Sequence, residues 1–274
     1  MPRPITAVIH TQALRQNLEV VRTSVPDSKV FAVVKANAYG HGIERVYDAL
    51  KTADGFALLD IDEAKRLRAL GWTGPILLLE GILSPQDLFD CAEYQLSFTV
   101  HSEHQVEWIQ QHIYPAQFDI FLKMNSGMNR LGFKPQQYRK VWQHLQRLNH
   151  VVKITHMTHF SDADGERFDQ AGVDYQLTEF ESTIQDLPGE RSVSNSAAIL
   201  RYSSQLHSDY VRGGIMLYGS SPDYPQHSIQ DWGLAPTMSL RSELIAIQQL
   251  NANESVGYGS NFVAAHAMTI GIVA

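Results

Sequence analysis

The apolar residues of this chain collect into eight short runs, and most of those runs do not alternate. They are Val30 to Val34, Gly55 to Leu59, Ile76 to Leu79, Leu96 to Val100, Phe118 to Lys123, Val151 to Thr158, Ser192 to Ser194 and Tyr210 to Arg212. A strand with one wet face alternates apolar and polar residues, whereas a strand covered on both faces is apolar throughout. Amphipathic segments lie between the runs. Thr11 opens one that carries Leu14, Leu18 and Val21 on a single helical face. Asp60-Ile-Asp-Glu63 reads as a capping box. Ser84-Pro85-Gln86-Asp87 reads as a cap, a proline at the first helical position and an acid in the first turn. Eight strands alternating with helices over roughly 200 residues predict an α/β fold of the (β/α)8, TIM-type barrel kind. A doubly wound open sheet is the alternative, because the last two runs are short.

The texture changes after Tyr218. Ser220-Ser221-Pro222-Asp223-Tyr224-Pro225 is a loop with two prolines. Met238 to Ile247, Glu254 to Tyr258 and Ala267 to Ala274 are rich in β-formers and lack a helical period. Residues 1–225 are therefore assigned to the barrel and 226–274 to the start of an all-β domain. The final run, Thr269 to Ala274, carries neither turn nor cap. An unpaired apolar strand is an aggregation-prone edge, so the expectation is a second domain cut short.

The net charge of −7 and the lack of a basic run argue against nucleic acid and anionic membranes as general partners. No apolar stretch is long enough to span a bilayer, and Met1 to Ile5 contains no secretory h-region. The single cysteine, Cys91, forms no internal disulfide and sits beside Leu88 and Phe89 as a packing residue. A cytoplasmic protein is the expectation.

Five segments carry chemistry. Phe31-Ala-Val-Val-Lys35-Ala-Asn-Ala-Tyr39-Gly-His41-Gly42 places a lysine at the end of an apolar strand. Catalytic groups of a barrel sit at that end, and a desolvated amine is a nucleophile toward carbonyls. A lysine merely snorkelling to solvent is the plainer reading. Phe121 to Phe133 places Arg130 after a strand and before a helix beginning near Pro135, in a loop on the same face. A planar guanidinium there suits a carboxylate or a phenolic oxygen.

His156-Met-Thr-His159-Phe-Ser-Asp162-Ala-Asp164 has the composition of a metal site. On a strand, however, its two histidines face opposite sides, so no metal is expected. Ser194 to Ala197 and Val211 to Gly219 follow the last two strands, where barrels frequently bind phosphate; Ser196, Gly214 and Ile215 fit a phosphate cup. Val256-Gly257-Tyr258-Gly259-Ser260 reads, by itself, as a tyrosine in a hairpin.

Taken together, these segments resemble the pyridoxal-phosphate-dependent alanine racemases, and the resemblance covers essentially the whole chain. It implies the cofactor pyridoxal 5′-phosphate, held by Lys35 as a Schiff base, with Lys35 also the acid/base on one face of the substrate. It implies a phosphate hydrogen bond from Tyr39. Arg130 would bond the cofactor's ring oxygen and orient the substrate carboxylate. Lys123, a position carbamylated in some members, would steady Arg130. His159 would stand beside the cofactor ring, and Arg212 would face the pyridine nitrogen. An arginine keeps its proton, so that nitrogen stays unprotonated and the ring is a weaker electron sink, which favours racemisation over transamination.

Tyr258 would be the acid/base on the opposite face, supplied by the partner subunit of a homodimer. The implied substrates are L- and D-alanine, with D-alanine going to peptidoglycan. Asn125-Ser126 departs from the Asp-Thr pair that many members carry. The run Ile5 to Ile9 is expected to pair with the β-domain. The resemblance leaves a second class open, a pyridoxal-phosphate-binding barrel without turnover, either a regulatory protein or a shortened racemase. The β-rich stretch from Trp232 to Tyr258 speaks against the regulatory form.

Overall fold

Strand β1 (Lys29–Val33) buries every residue after its first, and the computed structural model places it inside an eight-stranded parallel sheet. The structure describes residues 3–111, 115–167 and 169–274. The other strands are β2 (Gly55–Leu58), β3 (Ile76–Leu78), β4 (Ser97–Val100), β5 (Phe118–Lys123), β6 (Val151–Met157), β7 (Arg191–Ser192) and β8 (Tyr210–Gly213). They neighbour one another in the order β7-β6-β5-β4-β3-β2-β1-β8. Each of the eight apolar runs is therefore a strand, and helices cover them on the outside. Phe31, Val33, Ala57, Leu77, Phe121, Met157 and Tyr210 pack together as a buried cluster contributed by β1, β2, β3, β5, β6 and β8.

The ring closes between β7 and β8 without a continuous ladder. The backbone N–H of Arg212 donates to Ser194 O at 3.0 Å. Side chains complete the seam: Ser192 Oγ donates to Tyr210 O at 3.0 Å, and Ser208 Oγ accepts from Val193 N at 3.1 Å. The two short strands thus have a place in a barrel because hydroxyl groups supply the hydrogen bonds that their length cannot.

Helix starts follow the sequence unevenly. The helix Thr11–Ser24 buries Leu14, Leu18 and Val21, as their spacing implies. Asp60 caps Ile61–Ala69 by accepting from Asp62 N, a contribution of about 1 kcal/mol. Glu63 does not complete the box; its Oε1 accepts from Asn37 N instead. The helix expected at Ser84 starts at Asp87, whose carboxylate reaches back to Leu83 N, Ser84 N and Ser84 Oγ. Asp87 thus holds the proline segment as a turn, because an acid three residues on captures the free donors before a helix can.

Contacts divide the chain into two units, residues 11–237 and residues 1–10 with 238–274. This differs from a boundary at 225/226. Residues 226–237 stay with the barrel unit because Asp223 holds His227 and Trp232, at 2.7 and 2.8 Å, and Asn17 of the first helix brackets Ala235 from both its N–H and its carbonyl.

In the smaller unit Thr6–Ile9 pairs antiparallel with Met238–Arg241, so the N-terminal run does join the β strands. Leu244–Leu250 pairs with Met268–Val273, and Ser255–Val256 with Phe262–Val263. No helix is long and apolar enough to cross a membrane among the described residues. Cys91 is buried, and burial pushes its thiol up, which suits packing rather than reactivity.

Candidate active site

Immediately after β1 the backbone turns into an uncommon form. Ala36, Asn37, Ala38 and Tyr39 all take left-handed helical angles, with φ of 52°, 54°, 55° and 51°. For L-residues this costs roughly 1–2 kcal/mol each, so neighbours must enforce it. Ala38 N donates back to Val34 O at 2.8 Å, Gly42 N to Asn37 O at 2.9 Å, and Arg66 Nη2 to Asn37 Oδ1 at 2.8 Å. Glu63 Oε1 takes the Asn37 N–H. Burial raises the Glu63 carboxyl.

The turn sets Lys35 and Tyr39 side by side on one pocket, with the Lys35 amine 5.8 Å from the Tyr39 ring centre. Tyr39 leans on Tyr218, ring centres 4.5 Å apart. Tyr218 is fixed by its hydroxyl donating to Val33 O at 2.9 Å and by His41 against its ring. Thr237 Oγ1 donates to Tyr218 O, and the His41 ring bonds that hydroxyl at 2.8 Å.

Across the pocket stand Lys123, Arg130, His159 and Arg212. Arg212 is buried and its guanidinium donates to Ser192 O at 2.8 Å, Thr158 O at 2.8 Å and Ser192 Oγ at 2.5 Å. Burial lowers it to about 10, so it remains charged at neutral pH. Arg212 Nη2 also lies 3.3 Å from His159 Nδ1. Arginine only donates, so Nδ1 is the acceptor and the ring proton resides on Nε2. Burial, then the charges of Arg212, Lys123 and Arg130, hold His159 well below the usual histidine range.

His156 points the other way, into the helix layer, where it bonds Tyr138 Oη at 3.0 Å and Pro188 O at 3.2 Å. The two histidines diverge as a strand requires. Among the described residues no group of three His, Cys, Asp or Glu side chains is placed to hold a metal.

Lys123 is buried at the end of β5, and burial, then Arg212 and Arg130, lowers its amine to about 8. Arg130 lies on the exposed loop that follows. Asn125 organises that loop by accepting from Gly127 N and Asn129 N through Oδ1. Ser126 Oγ meets Thr158 Oγ1 at 2.7 Å and anchors the loop to the end of β6. The departure from Asp-Thr therefore keeps a hydrogen-bonded loop.

A third wall forms where β7 and β8 end. Asn195 caps the helix Ser196–Tyr202 by accepting from Ala198 N at 3.0 Å. Ser196 Oγ accepts from Gly214 N at 2.9 Å and lies 3.4 Å from Met216 N. Gly214 precedes the short 3-10 turn Ile215–Tyr218. A Cβ on Gly214 would lie 2.7 Å from the Tyr39 hydroxyl. Ser196, Gly214 and Tyr39 therefore meet at one small cradle where the Ser196 and Tyr39 hydroxyls are donors suited to a phosphate.

Of the expected site residues, Lys35, Tyr39, Lys123, Arg130, His159, Arg212 and Gly214 line this one pocket; Ser196 and Ile215 stand behind Gly214. Tyr258 belongs to the other unit. It sits at a hairpin tip, flanked by Gly257 and Gly259 at φ of 72° and 73°, with its side chain fully exposed.

Asn17 lies outside every motif of the sequence, and Glu63 is legible there only as a capping residue. Asn17 had a signal, being a polar residue on the apolar face that holds Leu14, Leu18 and Val21. It bonds Leu217 O and Ala235, which ties the Ile215–Tyr218 turn to the first helix.

The family models for the alanine racemase N-terminal domain and C-terminal domain match residues 9–222 and 237–274. The chain belongs to the alanine racemase family. It is 77% identical over 274 residues to a protein named alanine racemase from Acinetobacter baumannii (strain SDF), covering 100% of this chain and 75% of that one. It is 56% identical over 277 residues to an alanine racemase of Paracidovorax citrulli (strain AAC00-1), covering 100% and 74%. Among solved structures, the biosynthetic alanine racemase of Pseudomonas aeruginosa superposes with a TM-score of 0.93 at 37% identity, over 99% of this chain and 75% of that one. A histidine racemase from Leuconostoc mesenteroides subsp. sake shares the fold at a TM-score of 0.85 and 26% identity, over 99% and 74%.

Proposed function

We propose that this chain is a pyridoxal-5′-phosphate-dependent alanine racemase that interconverts L- and D-alanine by a two-base mechanism. The observation that carries the reading is the pocket itself. The Lys35 amine lies in it with the Ser196–Gly214–Tyr39 cradle and the charged Arg212. The fit to the cofactor is chemical on three sides: an amine for its aldehyde, hydroxyl donors for its phosphate, and a permanent donor for its pyridine nitrogen. Lys35 would hold the aldehyde carbon covalently, Tyr39, Ser196, Gly214 and Ile215 the phosphate, and Arg130 the ring oxygen. His159, neutral and accepting from Arg212, keeps that guanidinium aimed.

When bound, pyridoxal phosphate supplies an electron-withdrawing ring that acidifies the Cα–H of an attached amino acid. Arg212 keeps its proton and so limits that withdrawal, which favours return of a proton to the same carbon. Arg130 orients the substrate carboxylate through a charge-assisted pair. The Lys35 amine and the Tyr258 hydroxyl are the two proton-transfer groups, one for each face of Cα. A neutral Lys123 amine, available because its basicity is lowered to about 8, is competent to add carbon dioxide, losing one N–H proton to solvent, and the resulting carbamate anion would steady Arg130.

Exposure of Tyr258 at a hairpin tip supports its working in the site of a second copy, hence a homodimer. A cytoplasmic role supplying D-alanine for peptidoglycan follows from the family reading.

The test is L-alanine in deuterium oxide with added pyridoxal phosphate, following chirality and the α-proton signal together. Deuterated D-alanine is expected. If the cofactor is captured at Lys35 but neither exchange nor D-alanine appears, the chain is a binding barrel without turnover.

A further inference from the structure

The buried face of the helix Asp174–Ile184 carries Phe180 and Ile184, and at the same helical spacing it carries a glutamine, Gln176, with no exposed surface. A buried amide is costly unless both of its ends find partners. Gln176 Nε2 donates to His159 O at 3.0 Å and to Ser126 Oγ at 3.2 Å, and its Oε1 accepts from Ser161 N at 2.8 Å. One side chain thus bonds two loops of the pocket, the loop after β5 that carries Arg130 and the loop after β6 that carries His159.

The direction of the Ser126 bond follows from its neighbour. Thr158 Oγ1 donates its one proton to Met124 O at 3.1 Å. Ser126 Oγ lies 2.7 Å from Thr158 Oγ1 and therefore donates to it, which leaves the Ser126 lone pairs for Gln176. Donation runs from Gln176 to Ser126 to Thr158 to Met124, through three buried side chains. The Thr158 carbonyl in turn receives the Arg212 guanidinium at 2.8 Å.

The loop gripped in this way is closed on itself. At its base Asn125 N donates to Phe133 O and Phe133 N to Lys123 O, both at 2.9 Å. Asn125 Oδ1 gathers Gly127 N and Asn129 N. A Cβ on Gly127 would lie 3.2 Å from Gln176 Cγ, so the loop backbone rests on the glutamine itself. A loop tied at its base and within itself tilts as a unit, and Arg130 stands on its exposed side.

We propose that Gln176 is a positioning residue: through Ser126 it fixes the tilt of the 124–133 loop, and so where the Arg130 guanidinium stands in the pocket that Arg212 and His159 line. Gln176 acts through Arg130, and the role of Arg130 toward a carboxylate rests on the racemase reading.

The experiment titrates propionate, a probe for the carboxylate contact, into the cofactor-loaded protein by calorimetry. Gln176→Leu is compared with the wild type, each with and without Arg130→Ala. Ser126→Ala, which leaves Gln176 its bonds to His159 and Ser161, is carried through the same cycle in case Gln176→Leu fails to fold. Either variant is expected to weaken propionate about tenfold where Arg130 is present and to change nothing where it is absent. KM for L-alanine should rise by a similar factor, with kcat changing less. No loss with Arg130 present, an equal loss without Arg130, or a fall in kcat at unchanged KM overturns the proposal. If the wild type neither binds propionate nor racemises L-alanine, the racemase reading fails separately, and amide hydrogen exchange of the chain as purified still judges Gln176. Ser126→Ala should then speed exchange at residues 126–130; unchanged exchange there overturns the proposal.

Discussion

Arg212 and His159 meet at 3.3 Å, guanidinium to Nδ1, and this one contact fixes both the charge and the tautomer of the imidazole. The histidine value is depressed in the fold by burial and then by Arg212. Protonation is therefore easier in the unfolded chain. The stabilising contribution is present above the unfolded value near 6.5 and is lost as pH falls below it. Nitrogen-15 shifts of the His159 ring should report a neutral, Nε2-protonated imidazole at pH 6; a charged ring at that pH would contradict the contact.

Lys123 titrates with the same sign at higher pH. Its amine is lowered from 10.5 to about 8 by burial, then by Arg212 and Arg130, so the folded barrel carries a penalty of about 3 kcal/mol below pH 8 that fades toward pH 10.5. Lys123→Met should raise the melting temperature of the cofactor-free protein at pH 7 in carbonate-free buffer. The gain should shrink as pH climbs through that window. A gain independent of pH would show that the amine is solvated.

Gly214→Ala tests the cradle. The added methyl would stand 2.7 Å from the Tyr39 hydroxyl, so the tyrosine must move from the donor set. The affinity for pyridoxal phosphate, followed by its absorbance, should fall about tenfold or more, with a change in barrel stability of about 1 kcal/mol or less. Equal affinity for wild type and variant would place the phosphate elsewhere.

Asp223 is a buried carboxylate that accepts from Ser221 Oγ at 2.9 Å and Trp232 Nε1 at 2.8 Å, pairs with His227 at 2.7 Å and lies 3.7 Å from Arg201. Asp223→Ala leaves Arg201 unpaired and releases 221–232. A loss of about 3 kcal/mol in urea unfolding is expected, with a changed Trp232 emission. Unfolding at the wild-type midpoint would mean that the strap is held by apolar contacts such as Leu234.

Tyr258→Phe removes one hydroxyl from a fully exposed side chain. Folding and cofactor absorbance should persist. Exchange of the α-proton should slow chiefly from L-alanine, by about two orders of magnitude if the hydroxyl is a general base. Equal rates for both enantiomers, unchanged from the wild type, would remove Tyr258 from the two-base assignment.

Pattern in the chain determined a good deal. Strands buried on both faces must be apolar throughout, so Phe31 to Val34, Ile76 to Leu79 and Phe118 to Lys123 announce a covered parallel sheet. A lysine ending one such strand and glycines following another announce a catalytic face. Local motifs also marked Tyr39, Arg130, His159, Ser196 and Arg212.

Tertiary structure alone decided the rest, because it depends on partners far apart in sequence. The left-handed turn from Ala36 to Tyr39 cannot be read from Ala-Asn-Ala-Tyr, since its cost is met by Glu63 and Arg66 on another helix. Glu63 looked like a capping residue until Asn37 claimed it. The β7–β8 seam is invisible because serine hydroxyls replace a ladder. Residues 226–237 joined the barrel through Asn17 and Asp223, more than 200 and only a few positions away. Sequence periodicity records which face of an element is buried; which charges face each other across a pocket, as Lys123 faces Arg212 and Arg130, is settled only when the strand ends are brought together, since electrostatic coupling depends on distance in space.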